Sequence, residues 1–115
     1  MLDLKITDYL KQPELLAMLA EECSELAQAA LKLRRVIDGS NPTPKGYRQA
    51  LCELTEEMAD VELCMEQIVL TNDDDVVRIK RQKQARWLAR LMEQRRNENG
   101  FCHQVGEDEI DAWRL

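Results

Sequence analysis

Two short acidic runs hold the residues of this chain best placed to do chemistry: Glu21-Glu22-Cys23-Ser24-Glu25 and Glu56-Glu57-Met58-Ala59-Asp60. Glu22 and Glu25, like Glu57 and Asp60, stand three residues apart, which on a helix puts both side chains on one face with Cβ atoms roughly 5–6 Å apart. Each pair interrupts an apolar pattern. Leu15, Leu19, Leu26, Ala30 and Leu33 make a helical stripe with its gap at position 22, and Ala50, Leu54, Val61, Cys64 and Ile68 make a second with its gap at position 57. Glu22 and Glu57 therefore fall where the period asks for apolar side chains, and Glu25 and Asp60 follow one turn on, at the edge of the same face. Burying carboxylates without partners is costly, so the pattern predicts a cation that neutralises them. A ligand set made of Glu22, Glu25, Glu57 and Asp60 offers oxygen alone, which selects Mg²⁺, or Mn²⁺, over zinc. A dinuclear iron centre would want Glu-x-x-His pairs, and the one histidine, His103, lies in the tail.

A single Glu-x-x-Glu carries no such weight. Glutamate is a strong helix former, and Glu21, Glu53, Glu56, Glu62 and Glu66 read as solvated positions or partners of basic residues one turn away. What distinguishes the two pairs is that both break a stripe.

Three helices must position these groups. Pro13 marks a helix start and Asp38-Gly39-Ser40-Asn41-Pro42 an end, which predicts a helix over residues 14–37. Thr43-Pro44 supplies an N-cap followed by proline at the first helical position, predicting a second helix over residues 44–71. Asn72-Asp73-Asp74-Asp75 offers several caps for a third, over residues 75–97. A short leading helix within residues 3–12, capped by Thr7 or Asp8, and a mixed tail from Gly100 to Leu115 complete the chain.

Composition agrees. Five aromatic residues in 115, against an abundance of Leu, Ala, Glu, Lys, Arg, Gln and Met, indicate an all-α protein in one domain, residues 1–115. The expected architecture is an antiparallel bundle of three long helices with short terminal segments. The net charge of −6 is unevenly spread: residues 1–75 hold 16 acidic and 7 basic side chains, whereas residues 76–97 hold 8 basic and 1 acidic. No apolar run reaches membrane-spanning length and the N-terminus lacks the pattern of a secretory leader, so a cytoplasmic protein is expected, with no membrane partner. Cys23, Cys52, Cys64 and Cys102 show no C-x-x-C pairing and read as reduced thiols, the first three inside helices and expected in the core. Cys102-His103 falls short of the ligands a soft-metal site needs.

At this point the residues carry a family resemblance. Glu21-Glu22-x-x-Glu25 followed by Glu57-x-x-Asp60 resembles the E-E-x-x-E and E-x-x-D signature of the MazG-like all-α nucleoside triphosphate pyrophosphohydrolases, over residues 14–90. The resemblance implies Mg²⁺-dependent cleavage between the α and β phosphates of a nucleotide, giving a nucleoside monophosphate and pyrophosphate, with Glu22, Glu25, Glu57 and Asp60 as metal ligands. Glu21 and Glu25 are both candidates for orienting or deprotonating the attacking water. Lys80, Lys83 and Arg86, at three-residue spacing in the basic segment, are candidates for the outer phosphates, with Lys83, between Ile79 and Trp87, the first choice. Where the family often continues Lys-Asn, this chain has Lys83-Gln84.

Two other readings stay open. The related phosphoribosyl-ATP pyrophosphohydrolases share the signature, and a basic helix can serve a non-catalytic nucleic-acid-binding or adaptor module. The latter is disfavoured because residues 1–75 would repel a polyanion and no helix-turn-helix spacing is present. Apolar residues left over on the helices, Leu63, Met65, Val69, Leu88, Leu91 and Met92 among them, predict a homodimer or higher homo-oligomer that completes the bundle. The resemblance implies the same, with helices paired between subunits and substrate pockets near the interface.

Overall fold

The computed structural model describes residues 5–40 and 46–99, with the backbone of Gly100. Among the described residues the regular structure is entirely helical: a 3₁₀ turn at Ile6–Asp8, then α1 (Gln12–Asp38), α2 (Tyr47–Gln67) and α3 (Asp73–Gly100). No helix among them is long and apolar enough to cross a membrane. The chain forms two compact units, residues 1–71 and 72–115. The first holds the 3₁₀ turn and a hairpin of α1 against α2; the second holds α3.

Within the described part of the leading segment the short helix is a single 3₁₀ turn, Ile6–Asp8. The residue at its N-cap is Lys5 rather than Thr7 or Asp8, but Asp8 takes part in the cap, reaching back to accept the backbone N–H of Lys5 at 2.9 Å in a capping box. Glu14 does the same for the N–H of Lys11 at 3.2 Å, so α1 opens one residue before Pro13, with Lys11 as its extended cap residue. Its far end matches the expected stop. Gly39 adopts the left-handed conformation (φ 67°) and donates to the carbonyl of Arg35 at 2.9 Å. A side chain there would meet no atom but would have to hold a backbone angle that L-residues disfavour. Asp38 then accepts the Ser40 N–H at 2.8 Å and pairs with Arg34 at 3.4 Å.

α2 is shorter than the expected 44–71. Its start follows Gly46, and the proposed Thr43-Pro44 cap lies outside the described residues. Its end is decided from a distance. The amide of Gln12, at the start of α1, donates to the Gln67 carbonyl at 3.0 Å and accepts the Val69 N–H at 2.9 Å, while Ile68 turns extended. Those two bonds satisfy backbone groups that a helix terminus leaves open, so the helix can stop without a local breaker. They also run α2 antiparallel to α1.

Between the two helices lie Leu15, Ala29 and Leu33 from α1 and Ala50, Val61 and Cys64 from α2, with Ile68 at the end. The stripes are those the sequence predicts with one exchange: Ala29 is buried and Ala30 exposed. Adjacent alanines lie about 100° apart on the helix, and the arc facing α2 is centred nearer the Leu15–Leu33 line, which favours residue 29. Two of the cysteines also depart from expectation. Cys64 is in the core, but Cys23 and Cys52 are exposed because they sit on the flanks of the stripes.

α3 forms a unit without a buried residue among those described. Asn72 caps it, its side-chain oxygen accepting the N–H groups of Asp74 at 2.8 Å and Asp75 at 3.2 Å, and the acids of the first turn favour the positive end of the helix dipole. Trp87 is 63% exposed.

Candidate metal centre

The Gln12 clamp sets where the carboxylates meet. Ten residues on from Gln12 is Glu22, and ten back from Gln67 is Glu57, so in an antiparallel pair the two reach the same level. Glu22 and Glu57 are half-buried in the gaps of their stripes, flanked along the seam by Leu19 and Leu26 on α1 and by Leu54 and Val61 on α2. Glu25, exposed at the edge of the seam, joins them: carboxylate oxygens of Glu22, Glu25 and Glu57 all lie within 4.8 Å of one another. Asp60, also exposed, is not among the three oxygens that close up in this way, although its charge acts on both Glu22 and Glu57.

The electrostatics are those of an unneutralised cluster. Burial is the main force raising the Glu22 carboxyl above its ordinary value of 4.5, followed by the charges of Glu25 and Asp60, a hydrogen bond with Glu25, and the charge of Glu57. Glu57 is raised in the same way, by burial first and then by Glu25, Asp60, the Glu25 hydrogen bond and Glu56. One oxygen of each, Oε2, is buried and has no hydrogen-bond partner. Buried polar atoms are nearly always paired, so two orphans on facing helices are an anomaly that needs a partner. A hard cation is such a partner, and the donor set, carboxylate oxygen throughout, fits one. Below them, the Cys64 thiol is pushed up by burial, with the charges of Glu22 and Asp60 and the nearby Cys23 adding to the effect.

The remaining expected residues are less tightly placed. Glu21 is exposed on α1 next to Glu22, outside the group of three. Lys80, Lys83 and Arg86 are exposed on α3. Lys83 and Arg86 share an open groove on that helix with Trp87, Ala89 and Arg90. Two other cations of α3 are engaged within the helix, Arg78 with Asp75 at 3.3 Å and Arg96 with Glu93 at 3.5 Å. The residue that sequence reasoning passes over is Gln12, whose amide sets the register of the site. No local pattern marks it, because both of its partners lie more than fifty residues away. Comparison with protein-family models, with curated proteins and with solved structures found no match to this chain.

Proposed function

We propose that the chain is a divalent-cation-dependent nucleotide pyrophosphohydrolase of the MazG-like kind, cleaving a nucleoside triphosphate between its α and β phosphates. The observation that carries the proposal is the meeting of Glu22, Glu25 and Glu57 on two helices, with one buried, unpartnered oxygen on each of Glu22 and Glu57. The order Glu21-Glu22-x-x-Glu25 then Glu57-x-x-Asp60 supports the choice of enzyme class. Glu22, Glu25 and Glu57 would hold Mg²⁺ or Mn²⁺, with Asp60 alongside as the fourth ligand. When bound, the cation supplies charge neutralisation for the triphosphate and polarises the phosphorus under attack.

The chain's own groups have separable duties in this reading. A triphosphate carries about four negative charges, and the bare acidic cluster repels it. Glu21 or Glu25 orients the attacking water and accepts its proton, Glu25 being itself a member of the cluster and Glu21 its exposed neighbour outside it. Lys80, Lys83 and Arg86 are the cations assigned to the outer phosphates, and Lys83 and Arg86 line one open groove of that helix beside the exposed Trp87. The reading includes a homo-oligomer, at least a dimer, that completes the helical bundle.

The direct test is pyrophosphate release over a panel of ordinary, deoxy and damaged nucleoside triphosphates and phosphoribosyl-ATP, with Mg²⁺ and with chelator, for the wild type and Glu57→Gln. Expected is release that needs the cation and is lost in the variant. Release indifferent to both refutes the assignment, and salt-sensitive binding of DNA or RNA without any release would favour the non-catalytic alternative.

A further inference from the structure

Of the 8 cations between residues 76 and 97, two have a carboxylate partner among the described residues: Arg78 pairs with Asp75 and Arg96 with Glu93. Lys80, Arg81, Lys83, Arg86, Arg90 and Arg95 make no ion pair among those residues. The division follows the geometry of α3. At about 100° per residue, Arg78 and Arg96 fall on one line of the helix, about five turns apart. Lys80, Lys83, Trp87 and Arg90 fall within an arc of about 80° on the opposite side, with Arg86 about 40° beyond Arg90. Lys83, Arg86, Arg90 and Trp87 line one open groove there.

Two features separate this stripe from an ordinary solvated helix face. Solvated faces set acids one turn from their cations, as Arg78 and Arg96 have them. Between residues 76 and 97 the single acid is Glu93, and Arg96 already holds it. A tryptophan also stands in the middle of the stripe, largely exposed, where leaving so large an apolar ring in water is costly.

We infer that this face of α3 binds single-stranded nucleic acid, with backbone phosphates on Lys80, Lys83, Arg86 and Arg90 and a base stacked on Trp87. Lys80 to Arg90 spans about 15 Å along the helix, room for roughly four nucleotides at about 3.4 Å each. Cations that track a backbone beside an aromatic ring that accepts any base are the two elements such binding needs. A duplex satisfies the cations but hides the faces of its bases from Trp87. An acidic peptide satisfies them too, but has no planar ring at every repeat to offer it. The acids that make residues 1–75 repel a polyanion lie in the hairpin unit or in the first turn of α3, before the stripe begins. Screening confines their influence to about 8 Å at physiological salt. Leu88, Leu91 and Met92 fall in a different arc, centred about 110° away, so an oligomer that covers them leaves the stripe open.

The inference does not rest on the proposed hydrolysis, and chelator separates the two. The test is fluorescence anisotropy with labelled oligo-dT and oligo-U of about a dozen nucleotides, in chelator, so that neither the carboxylate cluster nor hydrolysis contributes. Saturable binding that weakens with salt is expected; binding of either strand supports the inference, and the tighter one names the sugar. Trp87→Ala should weaken binding about tenfold. Arg90→Gln should weaken it and lower the salt slope by about 0.7. Arg78→Gln and Arg96→Gln, on the opposite line, should stay within about twofold of wild type. All four side chains are exposed, so circular dichroism should remain helical in every variant. The inference is overturned by an absence of saturable binding, by equal affinity for a duplex of the same length or for polyglutamate, or by equal losses in the two sets of variants.

Discussion

Replacing Gln12 by alanine removes one side chain and two bonds that tie the start of α1 to the end of α2. The amide donates to Gln67 at 3.0 Å and accepts from Val69 at 2.9 Å. A hydrogen bond of this kind contributes about 1 kcal/mol net, so two amount to about 2 kcal/mol. Two effects reduce that figure. Val69 is exposed, so water replaces part of its lost bond, and alanine is the better helix former by a few tenths of a kcal/mol. The expected loss is therefore about 1–1.5 kcal/mol, or on the order of 5 °C in melting temperature for a domain of this size. Thermal unfolding followed by circular dichroism measures the total, and amide hydrogen exchange locates it: the Val69 N–H should exchange faster while amides in the middle of α1 change only with global stability. The consequence reaches the carboxylates. Because the same clamp sets the level at which Glu22 meets Glu57, divalent-cation affinity should fall with it. A melting temperature within about 1 °C of wild type, with the Val69 amide exchanging at its wild-type rate, would refute the reasoning.

The pH dependence of the metal-free protein has a definite sign. Burial and neighbouring carboxylates raise Glu22 and Glu57 above the ordinary 4.5. A carboxyl with a raised folded-state pKa binds its proton more tightly folded than unfolded, so its contribution to stability is full below 4.5 and is lost as pH rises through the raised value. In chelator, melting temperature should climb as pH is lowered from neutrality towards that range, and Glu57→Gln should flatten the climb and be no less stable than wild type at neutral pH. Asp38 acts in the other direction but lower: hydrogen bonds from Ser40, helped by Arg34, hold it below its usual 3.8, so its contribution is lost only as pH falls through that lowered value. Gly39→Ala forces a side chain into the left-handed conformation and should cost about 1 kcal/mol in urea unfolding, with no effect on cation binding.

The parts of this molecule legible in its sequence are those decided within a few turns of helix. The gaps at Glu22 and Glu57 could be read because each lies between apolar residues of one stripe, and both are half-buried where the period places them. The Gly39 stop and the Asn72 cap are local chemistry of the same sort. What escaped was decided between helices. The end of α2 has no breaker near Gln67 and depends on Gln12; the choice of Ala29 over Ala30 depends on where α2 sits; and Cys23 resembles a core thiol in sequence although it lies on the exposed flank of its stripe. Spacing also assigned Asp60 to the cluster on equal terms with the other three, whereas oxygens of Glu22, Glu25 and Glu57 close up without it.

Whether this cluster holds a divalent cation is open to direct titration with Mn²⁺, following free Mn²⁺ by electron paramagnetic resonance, in the wild type, Glu22→Gln and Glu57→Gln. Saturable binding in the wild type that is competed by Mg²⁺ and lost in both variants is the predicted result. No saturable binding, or binding that survives both substitutions, would contradict it.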